Sequence, residues 1–317
     1  MRLVVVGKVG GVTGWAEDCA AGMGAAGHEA RLIASRNPAL HPALEALLHD
    51  EAVGAPGARR IARAVARWAP RMVLAVGAFE IPRAIVERLA RAPGRPPLVA
   101  WVGDAFAETA RAAAERFDLV AYTDSGLLAR HKDLGFSPPA IFLPHAANPA
   151  RAAARVAPER RRAMVFVANP TPHRRAVIAA IEAPIALYGR GWRGVGGDHE
   201  VHARRVGRAE LPTLYAGCLA ALNIRHETNV LVGLNQRSFD PALFATPVVG
   251  DNQPDLALCF EPGTEVFVWR DTDELNAIHA RLLADPALAR GVGEAARRRV
   301  LGDHTYGARL DALTRVL

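Results

Sequence analysis

Short apolar runs alternate with helix-length segments along almost the entire chain, and no other feature restricts the fold as strongly. The runs are 2-RLVVV-6, 30-ARLIA-34, 72-MVLAV-76, 97-PLVAW-101, 118-DLVAY-122 and 140-AIFL-143. They are continuously hydrophobic and rich in β-branched residues, as strands buried on both faces must be. Parallel neighbours need a long crossover, and the segments between the runs are long enough to supply one. The pattern therefore predicts an α/β fold with parallel sheets.

The rhythm breaks at 144-PHAANPARAAARVAPERRR-162, which is rich in Ala, Pro and Arg and reads as a linker. It then restarts with 163-AMVFVA-168, 185-IALYG-189, 219-LAALNI-224, 247-PVVG-250 and 265-EVFVW-269. A polar helix is expected across the segment between the third and fourth of these runs. Three helices are expected near 272–284, 286–299 and 305–316. Two Rossmann-like domains follow, 1–150 and 151–317, with no obvious sequence repeat between them.

No apolar run approaches the ~20 residues that span a bilayer, and the apolar start is too short for a signal peptide. A cytoplasmic location is the default expectation. Cys19, Cys218 and Cys259 are scattered and form no Cys/His ligand spacing, so each reads as a small buried hydrophobe. The balance is basic, 39 Lys+Arg against 32 Asp+Glu, mostly as arginine. Anionic ligands, nucleic acid or an anionic membrane surface would all suit such a chain, and so would a codon bias towards Ala, Arg, Gly and Pro.

In open parallel sheets ligands bind beyond the carboxyl ends of the strands. In the first half, 7-GKVGGVTG-14 places Gly10, Gly11 and Thr13 after strand one. Its spacing fits neither GxGxxG nor GxxxxGK[ST], leaving a tight turn lining a cleft or a weak cofactor loop. Trp101 and Asp104 in 101-WVGD-104 lie at another strand end, where Asp104 is either a cleft residue or a helix N-cap. His145 in 143-LPHAAN-148 is either a hinge or cleft residue or a surface histidine.

In the second half, four strand ends carry polar loops that should meet at one crevice. The first, 168-ANPTPHRR-175, brings Asn169, Arg174 and Arg175. Arginines at a helix start oppose the dipole, a cost that contact with a phosphate would offset. The second, 188-YGRGW-192, brings Gly189 and Arg190. The third brings Asn223, His226 and Glu227, and the fourth segment brings Asn235, Arg237 and Asp240. The triplet 271-DTD-273 has the letters of a metal motif but sits at an expected helix start, so no metal site is expected.

The segments 222-LNIRHETN-229, 233-GLNQRSFDPALFATPVVGD-251 and 260-FEPGTEVFVWRD-271 resemble the CgeB-like, spore-maturation-type glycosyltransferases. The end 299-RVLGDHTYGARLDAL-313 and 166-FVANPTPHRR-175 extend that resemblance over most of 163–317, with WVGD and LPHAAN as its only echoes before. The resemblance implies a GT-B fold: two Rossmann-like domains with parallel sheets facing a central cleft, with C-terminal helices. The nucleotide sugar (UDP-, GDP- or dTDP-linked) would bind the C-terminal domain and the acceptor the N-terminal one.

On this reading, Arg237 faces the diphosphate, Asp240 the ribose, and Asn235 a sugar or phosphate oxygen. Asn169, Arg174, Arg175, Gly189, Arg190 and Asn223 complete the donor side; His226, Glu227 and Asp104 are the candidates for catalysis. Gly10, Gly11, Thr13, Trp101 and His145 line the acceptor side. The first glutamate of the two-glutamate pattern of related retaining enzymes would fall at Val232 and is absent, and where the family has Gly before the strand this chain has Ala245-Thr246. The implied activity is a retaining, metal-independent, hexosyltransferase-like transfer with no cofactor beyond the nucleotide sugar. The acceptor would be a glycan, lipid, protein or small molecule. No nucleic acid is expected, and 58-ARRIARAVARW-68 could touch the inner membrane face. A sugar-nucleotide epimerase, a non-catalytic nucleotide-sugar-binding module and an NADP-dependent oxidoreductase are the competing readings.

Overall fold

The structure is a computed structural model that describes residues 1–10, 14–153 and 163–317. Gly11, Thr13 and most of the arginine-rich end of the expected linker lie outside the described residues. The chain divides into two compact units, Met1–Pro144 with Tyr306–Leu317, and His145–Thr305.

Six strands build the first unit: β1 (Arg2–Gly7), β2 (Glu29–Ala34), β3 (Val73–Val76), β4 (Leu98–Val102), β5 (Leu119–Tyr122) and β6 (Ala140–Phe142). All pair in parallel, in the order β2-β1-β3-β4-β5-β6. The central strands β3, β4 and β5 are buried throughout, as their unbroken apolar sequences require. Helices α1 (Trp15–Ala25), α2 (Pro42–Leu48), α3 (Pro56–Trp68), α4 (Arg83–Ala90), α5 (Arg111–Ala114) and α6 (Ser125–Asp133) provide the crossovers. Between β4 and β5 the helical part is short, a 3-10 turn at Glu108–Ala110 followed by the single turn of α5.

The second unit repeats the plan: β7 (Met164–Val167), α7 (Pro172–Ala179), β8 (Ile185–Tyr188), β9 (Glu200–His202), α8 (Leu211–Ala216), β10 (Ala220–Asn223), β11 (Val248–Asp251), α9 (Leu256–Cys259), β12 (Phe267–Trp269), α10 (Thr272–Ala284) and α11 (Pro286–Asp303). Its sheet is also parallel, ordered β12-β11-β10-β7-β8-β9. The edge strand β9 was not legible as a strand, because EVH is short, half polar and exposed. Asp271 caps α10 by accepting from the Glu274 amide at 2.9 Å, so the DTD triplet starts a helix.

The polar helix expected between β10 and β11 is two 3-10 turns instead, Gln236–Ser238 and Pro241–Phe244. Asn235 caps the first through its side chain, Pro241 opens the second, and Ala245 ends it in the left-handed region at φ 51°. Its carbonyl there abuts Gly293 of α11, where a Cβ would collide with it and stand 3.1 Å from Pro247 Cδ.

The chain returns to the first unit as α12 (Tyr306–Thr314), which the sequence pattern had placed with the C-terminal domain. The first unit accepts it because α1 has glycine at position 22, where a Cβ would stand 2.8 Å from Tyr306 Cδ2. Arg309 of α12 donates to the Pro144 carbonyl at 2.7 Å. The first unit therefore closes at Pro144 and is completed by the C-terminal helix, where the sequence predicted a boundary at 150/151.

Two stability outcomes follow. Gly293→Ala should destabilise the protein by about 2 kcal/mol by overpacking against a backbone carbonyl. Ala245→Gly, which relieves a left-handed alanine, should not destabilise it. Equilibrium denaturation separates the two. His279 of α10 is fully buried, and neither ring nitrogen has a hydrogen-bond partner among the described residues. Burial, with the charge of His199 adding to it, lowers its pKa. Below the ordinary histidine value of ~6.5 the unfolded chain then binds more protons than the folded one, so stability falls as pH drops. His279→Leu should flatten that fall between neutral pH and about pH 5, read as Tm against pH; an unchanged slope would contradict it.

Candidate functional site

The carboxyl edge of the second sheet gathers the loops after β7, β8, β10 and β11. Thr171 starts α7 by capping, its hydroxyl accepting from the Arg174 amide at 3.2 Å, with Pro172 behind it. The same hydroxyl donates to Glu227 Oε2 at 3.0 Å, joining the β7 and β10 loops. Arg174 joins them a second time. Its guanidinium donates to the carbonyls of Asn169 (3.0 Å), Ile224 (2.9 Å) and Arg225 (3.2 Å), while it lies 5.7 Å from the Phe166 ring centre.

Arg174 is thus a buried brace between loops rather than the phosphate contact expected of it. Burial first, and the charge of Arg237 second, lower its pKa to about 10, against the opposing charges of Glu227 and Asp251. Arg175 is also spent locally: it donates to the Gly191 carbonyl and lies over Trp192. Trp192 in turn donates to the Ala168 carbonyl at 2.7 Å, and a Cβ on Gly189 would strike that same carbonyl. Gly189 therefore allows two loops to touch. Asn169 and Arg190 are exposed on these loops.

Asn223 ends β10 and organises the next layer. Its amide donates to Ser238 Oγ at 2.9 Å, and its oxygen accepts from Asn235 Nδ2 at 3.1 Å and from Arg237 Nε at 3.4 Å. Asn235 also accepts from the Arg237 amide at 2.9 Å. Arg237 is held by its Nε and backbone, while its terminal nitrogens have no hydrogen-bond or ion-pair partner among the described residues. Burial lowers its pKa, opposed by the charges of Tyr215, Asp251 and Asp240. A half-buried, oriented cation with no carboxylate within ion-pair distance among the described residues can serve as an anion-binding device.

Asp240 lies differently from the ribose-facing position expected of it. It is buried; Oδ1 accepts from Gln236 Nε2 at 2.8 Å, and Oδ2 faces Arg151 Nη1 at 3.3 Å. Gln236 also donates to the Ala146 carbonyl at 2.6 Å. Arg151 donates to the Arg208 carbonyl at 3.1 Å. Arg151 was missed because it lies in the stretch read as a linker, and Gln236, although it sits between Asn235 and Arg237, was given no role.

Asp251, also missed, ends β11 and was legible as an acid at a strand end. Burial raises its pKa, against donation from the Arg225 amide and the Arg225 charge. Gln253 Nε2 donates to it at 2.9 Å. Asn223, Arg225, Asn235, Ser238, Asp251 and Gln253 line one pocket.

Of the catalytic candidates, His226 and Glu227 share the β10 loop. His226 Nδ1 lies 3.0 Å from Thr228 Oγ1. Partial burial raises the Glu227 pKa, but hydrogen bonds from its own backbone and Thr171 and the charges of His226 and His173 bring it below the ordinary value. Asp104 belongs to the first unit and is exposed; the caps of the 3-10 turn and of α5 are Ala107 and Ala110, so it is not a cap. Gly10 is exposed at φ 76° and its amide donates to Glu17 at 2.8 Å. His145 is buried at the start of the second unit. Trp101, expected in a cleft, is fully buried in the first unit: its indole donates to the Leu143 carbonyl at 2.9 Å, and it packs edge-on against Trp15 and Tyr306. An apolar ring on a strand flanked by helices belongs to the core.

Among the described residues, no helix is long and apolar enough to cross a membrane, and no group of three or more His, Cys, Asp or Glu side chains is placed to hold a metal ion.

Known structures share this architecture. Sucrose-phosphate synthase from Thermosynechococcus elongatus superposes with a TM-score of 0.65 at 14% identity, covering 100% of this chain and 98% of the other. Anabaena HepE in complex with UDP-glucose gives 0.68 at 14%, covering 100% and 99%. AviGT4, a glycosyltransferase involved in avilamycin A biosynthesis, gives 0.61 at 18%, covering 99% and 96%. No curated protein matches the chain in sequence. The Glycosyl transferase-like family matches residues 155–315, just over half of the chain. The protein has the GT-B fold of glycosyltransferases, and it belongs to the Glycosyl transferase-like family.

Proposed function

We propose that this enzyme moves a hexosyl group from a nucleotide sugar bound at the carboxyl edge of the second sheet to an acceptor bound by the first unit. The observation that carries the reading is Arg237: a guanidinium oriented by Asn223 and Asn235, with its terminal donors unclaimed among the described residues. A nucleoside diphosphate supplies the missing anion, and such a donor stabilises the charge that develops as the diphosphate leaves. Exposed Arg190 on the neighbouring loop adds a second cation. UDP is the first donor to test, because Anabaena HepE has been captured with UDP, with UDP and glucose, and with UDP-glucose.

In the transfer, an acceptor hydroxyl oxygen bonds to the anomeric carbon while the bond from that carbon to the diphosphate breaks. The electron pair leaves with the diphosphate. The hydroxyl proton passes to a carboxylate or imidazole among Asp104, His226 and Glu227, or to the departing diphosphate. The C-terminal resemblance supports membership of the CgeB-like branch and retention of configuration, and the arginines support leaving-group stabilisation without a metal. Arg174 and Asp240 act by positioning loops. A cytoplasmic enzyme touching the inner membrane face through Arg59, Arg60, Arg63 and Arg67, all exposed on α3, is consistent with this scheme.

Calorimetry with UDP, GDP and dTDP tests the donor site. One nucleotide should bind the wild type, and Arg237→Ala should weaken it at least about tenfold, the cost of losing charge-assisted hydrogen bonds. Because the removed side chain is only half-buried, Tm should stay within a few degrees. If no nucleoside diphosphate binds, the reading fails; if Arg237→Ala binds as well as wild type, the placement fails.

A further inference from the structure

The first unit has its own large polar pocket at the carboxyl ends of β1 to β4, lined by residues that the donor site does not use. Lys8 follows β1; Ser35 and Arg36 follow β2; Phe79 and Glu80 follow β3; Asp104 follows β4. The start of α1, at Gly14 and Trp15, opens into it as well.

The strand order divides this pocket electrically. β1 and β2 are adjacent, with Gly7 in register with Ala34, so Lys8, Ser35 and Arg36 emerge side by side. Glu80 and Asp104 emerge from the β3 and β4 side. Arg83, the remaining cation of the lining, is already bound: its Nε donates to Glu87 at 2.6 Å. Lys8 and Arg36 are exposed and have no ion-pair partner among the described residues. Ser35 is only 1% exposed yet lines the pocket. Its amide donates to the Gly7 carbonyl at 2.8 Å, whereas its hydroxyl makes no hydrogen bond among the described residues. A hydroxyl that lines the pocket and is not spent on a protein partner can donate to a ligand oxygen.

We infer that this pocket selects an acceptor bearing an anionic group, a phosphate monoester or a carboxylate, held by Lys8, Arg36 and the Ser35 hydroxyl, with its nucleophilic hydroxyl towards the Asp104 side. The inference rests on the glycosyl-transfer reading above for the word acceptor, and on the pocket alone for the anion. Trp15 and Phe79 offer ring surface to the ligand's carbon skeleton.

The test uses the full chain saturated with UDP, so that the donor site is closed to competing anions. Inorganic phosphate, glycerol 3-phosphate, glycerate and glycerol are titrated by calorimetry into wild type, Lys8→Ala, Arg36→Ala and Ser35→Ala. Phosphate and glycerol 3-phosphate should bind in the millimolar range, and glycerol should give no heat. Each cation variant should weaken phosphate about tenfold. UDP affinity should stay unchanged in all three variants. Glycerate binding as well as glycerol 3-phosphate would point to a carboxylate acceptor, and weaker glycerate binding to a phosphorylated one. Absence of phosphate binding, or binding that Lys8→Ala and Arg36→Ala leave intact, would overturn the inference. Lys8 and Arg36 are exposed, so these variants should fold; their circular dichroism and Tm check this. UDP binding without phosphate binding sinks this inference alone, whereas phosphate binding without any nucleotide binding sinks the transferase reading and leaves an anion site.

Discussion

The donor-side loops depend on one buried guanidinium. Arg174 donates to carbonyls at Asn169, Ile224 and Arg225, so the chain leaving β7 and the chain leaving β10 cannot drift apart without stranding a cation in the protein interior. That penalty is larger than the net gain of the bonds themselves, so the brace acts chiefly against loop opening. The Thr171–Glu227 hydrogen bond repeats the tie closer to solvent. Asn223, fixed at the mouth of β10 by the strand itself, then has a defined place from which to orient Asn235 and Arg237.

A second buried ionic arrangement shapes the segment between β10 and β11. Two short 3-10 turns offer few backbone hydrogen bonds of their own, so side chains must hold them. Gln236 bridges the Ala146 carbonyl and Asp240, and Arg151 bridges Asp240 and the Arg208 carbonyl. With Asp240 engaged in this way, the cationic Arg237 beside it remains available to an external anion. Arg151 and Arg237 have opposite fates because, among the described residues, only Arg151 has a carboxylate within ion-pair distance.

The first unit uses its polar residues at strand ends and its rings in the core. Trp101 and Arg309 tie Leu143 and Pro144 by their carbonyls, fixing the point at which the chain leaves the sheet. The C-terminal helix that supplies Arg309 docks on a glycine of α1, which explains why residues so distant in sequence complete this unit. Since both sheets are parallel throughout, each delivers the loops that follow its strands to a single edge, and that edge collects charge.

The sequence by itself determined the two parallel α/β sheets, nearly every strand, and the strand ends that carry polar loops. Those features are written in local periodicity, and a strand buried on both faces has no alternative to a continuous apolar run. It also contained Asn223, Asn235 and Arg237 as candidates, the first at the end of β10 and the others in the polar segment that follows it. What it could not state was which polar residue faces a ligand and which faces the protein. Arg174 and Arg237 are the same residue type at similar strand-end loops, and Asp240 reads as available until Arg151, distant in sequence, is placed against it. Ala245, Gly22 and Gly293 likewise acquire their meaning only from the atoms opposite them. Pairing, burial and close packing are relations between distant segments, so only the tertiary structure decided them.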